Sequence, residues 1–196
     1  MLGERDLAVL RPRDSEALID EQAFEHEEYL PYWAELWPSG QALARQVAVR
    51  ALRGARTLEL GCGLALPSFA AAIAGGRPVA TDWSPQAIDL ARANAERNGL
   101  AIEAFRADWA AAGAILERAP WDLVLGADLL YERRNADLLL PLLPRLVRPG
   151  AEIWLADPGR PPAGPFLEAA AEAFEVSSRG DPALPQGGLH RLRRRA

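Results

Sequence analysis

The stretch Thr57-Leu58-Glu59-Leu60-Gly61-Cys62-Gly63 constrains what this chain can fold into more than any other. A short apolar run enters a Gly-x-Gly turn, and a helix-length segment follows. Without a Cβ, Gly61 and Gly63 let the backbone turn sharply and approach a ligand closely. Asp82 stands twenty-one positions after Gly61, at the end of a second apolar run, Val79-Ala80-Thr81-Asp82. Strand, tight turn, helix and a second strand ending in an acid make up the βαβ unit of a parallel sheet, with the carboxylate suited to the two hydroxyls of a ribose. The unit predicts a nucleoside ligand.

The turn narrows the choice of nucleoside. A dinucleotide site of the G-x-G-x-x-G type needs a third small residue for helix packing and a free helix N-terminus for the pyrophosphate. Here the third position is Leu66, and an acid, Glu59, precedes the turn. An acid at that point repels phosphate and suits a cofactor end carrying positive charge, such as the amino group or sulfonium of S-adenosylmethionine. The same two residues disfavour an NAD-dependent oxidoreductase.

At 196 residues the chain is sized for one domain with a substantial core. Its net charge of −5 argues against tracking a phosphate backbone, which calls for a basic face, so no nucleic-acid partner is predicted. The single cysteine, Cys62, excludes an internal disulfide and fits a reducing compartment. Met1-Leu2-Gly3-Glu4-Arg5-Asp6 has no apolar targeting core, and no apolar run is long enough to span a bilayer. The expectation is a soluble, cytoplasmic protein without a membrane partner.

From residue 57 onward short apolar runs alternate with helix-length segments, the pattern of a mostly parallel sheet. It predicts strands near 56–60, 78–81, 102–106, 122–127 and 152–156, and helices near 64–75, 84–98, 109–118, 132–147 and 163–173. Ser84-Pro85 gives the second helix an N-cap and a first-turn proline, and Asn98-Gly99 gives it a C-cap. Arg148-Pro149-Gly150 stops the fourth. Phe174–Ser178 and Gly188–Leu192, joined by a Gly/Pro-rich connection at 180–187, read as an antiparallel pair at the sheet edge, with Arg191 to Arg195 a solvated strand end. Residues 1–55 read as a helical prefix of the same domain, and 56–196 as the cofactor-binding core. Within the prefix Asp14-Ser15-Glu16-Ala17-Leu18-Ile19-Asp20 has the form of a capped helix start. Tyr29, Tyr32, Trp33 and Trp37 crowd into nine positions, serving either packing or a site, and Pro38 opens a helix that would hold Trp37 at a rigid corner.

In an open parallel sheet, residues ending successive strands converge beyond the carboxyl edge. By that rule Gly61 and Gly63, Asp82-Trp83, Asp108-Trp109, Asp128 and Asp157 face one crevice. Asp82 suits the ribose. Asp108 suits an adenine amino group, flanked by Trp83 or Trp109, unless it caps the following helix.

These motifs resemble the class I S-adenosylmethionine-dependent methyltransferases from Trp37 to the terminal hairpin. Trp37-Pro38-Ser39-Gly40-Gln41-Ala42-Leu43, the quartet Asp128-Leu129-Leu130-Tyr131 and Asp157-Pro158-Gly159-Arg160 are more narrowly similar to the seven-β-strand protein methyltransferases, a group that includes the lysine methyltransferase of the electron-transfer flavoprotein β subunit and lies near the ribosomal-protein methyltransferases. The resemblance implies a three-layer, Rossmann-like α/β fold: a seven-stranded, mostly parallel sheet with a C-terminal antiparallel hairpin and an N-terminal helical prefix. It implies cofactor contacts from Trp37, Glu59, the Gly61-Cys62-Gly63 turn, Asp82, Trp83, Asp108, Trp109 and Ala127, and an acceptor site at Asp128 and Tyr131. Arg160 would stand at the rim, either facing an acidic residue of a protein substrate or as a turn residue with a solvated head. The quartet is not the Asn/Asp-Pro-Pro-Tyr of amino-directed nucleic-acid methyltransferases.

In-line displacement from a sulfonium needs neither a metal nor a covalent intermediate, only alignment and a neutral nucleophile. Asp128 would orient or deprotonate a lysine amine, and Tyr131 would position it, the alternatives being a helix cap and packing against the prefix. All 22 basic residues are arginine, which rules out automethylation on lysine. The resulting expectation is a protein lysine methyltransferase acting on an electron-transfer flavoprotein or a ribosomal protein. A small-molecule N- or O-methyltransferase and a catalytically silent binding module are the alternatives.

Overall fold

Five parallel strands and a two-stranded antiparallel addition form one sheet. They are β1 (Arg56–Leu60), β2 (Arg77–Asp82), β3 (Glu103–Arg106), β4 (Trp121–Ala127), β5 (Val147–Asp157), β6 (Phe174–Asp181) and β7 (Leu184–Arg194), in the order β3-β2-β1-β4-β5-β7-β6. The structure, a computed structural model, describes residues 5–14 and 31–196. β1 lies parallel between β2 and β4, so the strand order reverses there and opens a crevice beyond the carboxyl ends. The central strands are buried on both faces and read accordingly as apolar runs, Leu58 and Leu60 in β1 and Leu123-Val124-Leu125 in β4.

Helices α1 (Pro38–Ala48), α2 (Leu66–Ile73) and α3 (Pro85–Arg97) cover one face, burying Leu43, Val47, Phe69 and Ile88. Helices α4 (Gly113–Leu116), α5 (Arg133–Leu146) and α6 (Ala163–Ala170) cover the other, burying Ile115, Leu139, Leu143 and Phe166. This is the three-layer α/β arrangement expected. α3 starts as read, with the Ser84 side chain accepting from Ala87 N–H and Pro85 in its first turn.

The local departures have physical causes. α4 is a single turn rather than a helix over 109–118, because Asp108 Oδ1 accepts the Ala110 N–H at 2.8 Å and diverts the backbone into a side-chain-closed turn. α5 ends at Leu146 and β5 starts at Val147, so Pro149-Gly150 lies inside a strand. The pairing steps from Trp121↔Val147 to Leu123↔Glu152 and absorbs the extra residues in a bulge with Gly150 at φ +81°. The Gly/Pro-rich connection at 180–187 belongs mostly to the hairpin, whose ladder runs from Phe174↔Arg194 to Asp181↔Leu184 around Pro182-Ala183.

Residues 5–14 carry no helix and lie along α3, where the side-chain amides of Asn94 and Asn98 substitute for a neighbouring strand. Asn94 exchanges two hydrogen bonds with the backbone of Leu10 at 2.6 and 2.9 Å, and Asn98 two with Ala8 at 3.0 and 2.9 Å. A 3₁₀ turn at Tyr32–Ala34 then leads into α1. Of the capped start at Asp14–Asp20 only Asp14 is among the described residues, and Tyr29 also lies outside them. Among the described residues no helix is long and apolar enough to cross a membrane.

Candidate functional site

The floor of the crevice is built where β1 and β2 end. Glu59 is 2% exposed, and its Oε2 accepts both the Ser68 N–H at 2.8 Å and the Ser68 hydroxyl at 2.5 Å, in the first turn of α2. Burial pushes its carboxyl up to about 8 against the pull of those bonds. The group is therefore largely protonated at neutral pH. Asp82 ties the two strands together: Oδ2 accepts the Gly63 N–H at 2.9 Å and Oδ1 the Ser84 N–H at 3.0 Å, while burial raises its pKa as well. Gly61 and Gly63 sit at φ +56° and +48°, where L side chains are strained. A Cβ at Gly61 would come 2.8 Å from Leu129 Cδ2 and 3.3 Å from Trp109, and one at Gly63 would come 3.0 Å from the Trp33 carbonyl oxygen. The two glycines thus admit the packing of protein groups over the turn.

One wall carries Trp83, Asp108 and Trp109, with Asp108 exposed and engaged in the turn described above rather than capping α4. The opposite wall starts at the end of β4. Asp128 takes φ +57° and donates its N–H to Ala156 O at 2.8 Å, which turns the chain away from the sheet. Its carboxylate does not cap α5, whose N-cap is Glu132. Both oxygens go to Arg160, with Nε–Oδ1 at 2.8 Å and Nη2–Oδ2 at 3.3 Å. Tyr131 packs on Tyr32, ring centroids 5.3 Å apart, and Tyr32 meets Trp37 edge-on at 6.4 Å, while Trp37 Nε1 donates to the Tyr32 carbonyl at 2.7 Å. Burial raises the Tyr131 pKa.

Asp157 departs from the expectation that it faces the crevice. It is 1% exposed and turned inward, and its Oδ1 accepts the N–H groups of Gly159 and Arg160 at 2.8 and 2.7 Å. Its chemistry is to shape the turn that delivers Arg160. Arg160 in turn is engaged with Asp128 rather than extended toward a partner. Ser68 was not singled out from sequence, nor was Asn135, whose Nδ2 donates to Leu129 O at 3.0 Å under the quartet. No spacing signal marked Asn135, because Tyr131 precedes the helix that carries it. The crevice has a volume of about 500 Å³, within the usual range for small-molecule sites, and all thirteen site residues predicted from sequence line it.

Residues 57–150 match the family described as a methyltransferase domain. Over that segment the chain resembles a methyltransferase domain. It resembles the electron transfer flavoprotein beta subunit lysine methyltransferase of Xenopus laevis, 38% identical over 134 residues that make up 66% of this chain and 53% of the relative. It is also 32% identical over 175 residues to the ribosomal protein L11 methyltransferase of Pseudomonas paraeruginosa, covering 82% of this chain and 49% of the relative. The chain spans about half the length of these curated relatives. A methyltransferase structure from Pyrococcus furiosus superposes with a TM-score of 0.67 at 16% identity, over 81% of this chain and 83% of that one, and shares the fold.

Methyltransferase domains of this class take S-adenosylmethionine, and the residues present fit it. Glu59 and Asp82 place two carboxyl groups at the crevice floor, and Trp83 and Trp109 bring indole rings to one wall. That donor set suits a cationic nucleoside better than a pyrophosphate.

Proposed function

We propose that this domain is a protein lysine methyltransferase. The observation that carries the reading is the Asp128–Tyr131 quartet at the end of β4, which shares the crevice with the Gly61–Gly63 turn and Asp82. When bound, S-adenosylmethionine supplies an electrophilic methyl group on a positively charged sulfur. Asp82 would hold the ribose hydroxyls, Glu59 the cationic end through the turn at Cys62, and Trp83, Asp108 and Trp109 the adenine, with Trp37 and Ala127 closing the site. Tyr131 and Asp128 would align the acceptor nitrogen. The relatives' names point to an electron-transfer flavoprotein or a ribosomal protein as the substrate. The buried, unpaired Cys62 is in keeping with the cytoplasmic setting that forms part of this reading.

Incubation of a lysate with radiolabelled S-adenosylmethionine tests the reading, with no background from the enzyme because the chain has no lysine. Label is expected in lysine of a protein. Asp128→Asn should bind the cofactor normally and turn over about a hundredfold more slowly. Label confined to the fraction that passes a small-molecule filter would overturn the protein-substrate reading in favour of a metabolite methyltransferase.

A further inference from the structure

The ion pair at the end of β4 changes what an incoming amine meets. Asp128 is 8% exposed, and Arg160 occupies both of its oxygens from the next strand end. Arg160 is not a mobile surface arginine. Its N–H and that of Gly159 are tied to the buried Asp157, and Gly159, at φ +97°, packs against the backbone of Gln186 so closely that a Cβ would come 2.4 Å from the Gln186 oxygen. The guanidinium also lies 5.9 Å from the centroid of the Trp37 ring, so it meets both the carboxylate and the aromatic wall to which Trp37 belongs. The other charged and titratable groups near it are Asp157 and Tyr32, with Glu132 and Asp82 beyond Tyr131, and Arg134 also lines the crevice.

A lysine amine titrates near 10.4, so almost all of it arrives as ammonium at neutral pH, and its lone pair is unavailable until the proton leaves. A free carboxylate in a half-buried site would bind that ammonium and favour the protonated, unreactive form. A carboxylate already neutralised by a bidentate guanidinium does not.

We propose that Arg160 is a positioning residue which, by occupying Asp128, keeps the acceptor site from trapping an ammonium and admits the acceptor as a neutral amine. The proposal rests on the lysine methyltransferase reading above. The acceptor ammonium first gives up a proton to solvent; the neutral amine nitrogen then bonds the methyl carbon, the electron pair of the breaking carbon–sulfur bond stays with sulfur, and the product leaves as the methylammonium. Asp128 then orients the amine without becoming its proton acceptor.

The test is Arg160→Met, which keeps a long apolar stem without the charge, beside Arg160→Lys, which keeps the charge. Near neutral pH the Met variant should show a lower KM for the protein substrate together with a kcat reduced by about tenfold or more, the equivalent of a one-unit rise in the acceptor pKa, and kcat should recover as pH rises. The Lys variant, which keeps the charge but not the two-point contact, should fall between the wild type and the Met variant. A raised KM with unchanged kcat, or a loss of kcat that pH does not restore, overturns the proposal. A second measurement does not depend on the identity of the acceptor. In protein loaded with S-adenosylhomocysteine, n-butylammonium should raise the melting temperature of Arg160→Met and not of the wild type, with 1-butanol inert in both. An equal response of the two proteins overturns the role of Arg160, whereas absence of label from lysine in the wild type overturns only the lysine reading.

Discussion

Glu59 sits in the environment least like that of a surface carboxylate, with its acidity shifted from 4.5 to about 8 by burial. The sign of its effect follows from linkage. Between those two values the native state holds a proton that the unfolded state has lost, so Glu59 makes stability fall as pH climbs through that window. Glu59→Gln keeps an acceptor for Ser68 and removes the titration. The melting temperature of the wild type should therefore fall more steeply than that of the variant between mildly acidic and mildly alkaline pH. A cationic cofactor end beside Glu59 pulls its pKa back down, so binding near neutral pH should release a fraction of a proton. Calorimetry in buffers of different ionisation enthalpy should detect that release in the wild type and lose it in Glu59→Gln. Asp82 and Asp128 were legible in the sequence because strand ends converge, and Glu59 because an acid precedes the Gly-x-Gly turn. Their pairings were not: Ser68 stands nine positions from Glu59, and Arg160, read as a rim residue, stands thirty-two from Asp128.

Among the elements, the terminal hairpin does more than complete the sheet. β7 passes the turn after β5 so closely that a Cβ at Gly187 would lie 2.0 Å from the Asp157 carbonyl oxygen and 2.5 Å from Gly159 N. The hairpin is thus the back wall of the turn that presents Arg160. Gly187→Ala should destabilise the fold by about 1–3 kcal/mol through overpacking. Because the displaced atoms belong to the turn, methyl transfer should fall by a larger factor than cofactor affinity, whose proposed residues, Trp37 and Ala127 apart, sit at the ends of β1, β2 and β3. Turnover and cofactor titrations of one preparation check this, and a proportionate loss of both would separate the hairpin from the acceptor site. The Gly/Pro-rich composition of 180–187 marks a connection between the two runs. Composition records that glycines are needed, but not whether they serve a flexible loop or a close approach of two backbones.

For the whole molecule, the reversal of strand order between β1 and β4 gathers residues from Trp37 to Arg160 around one crevice, so a ligand there links both halves of the sheet. S-adenosylhomocysteine at a hundred times its dissociation constant should add about 2.7 kcal/mol to stability. For a domain of this size that corresponds to a rise of roughly 5–10 °C in melting temperature. NAD should give no comparable shift, and differential scanning fluorimetry with the two ligands decides it. By itself the sequence determined the parallel core and the gathering of residues at the carboxyl edge, because those follow from local patterns: apolar runs of strand length, the Gly-x-Gly turn, Ser84-Pro85 and an acid at or just after the end of four of the parallel strands. Only the tertiary structure decided that residues 5–14 lie along α3 on Asn94 and Asn98, that Asp157 turns inward, and that Arg160 closes on Asp128. Those outcomes depend on hydrogen bonds and ion pairs between residues far apart in the chain. Such pairs leave no periodic trace in the order of the amino acids, since which donor reaches which carboxylate is set by how the strands and turns pack.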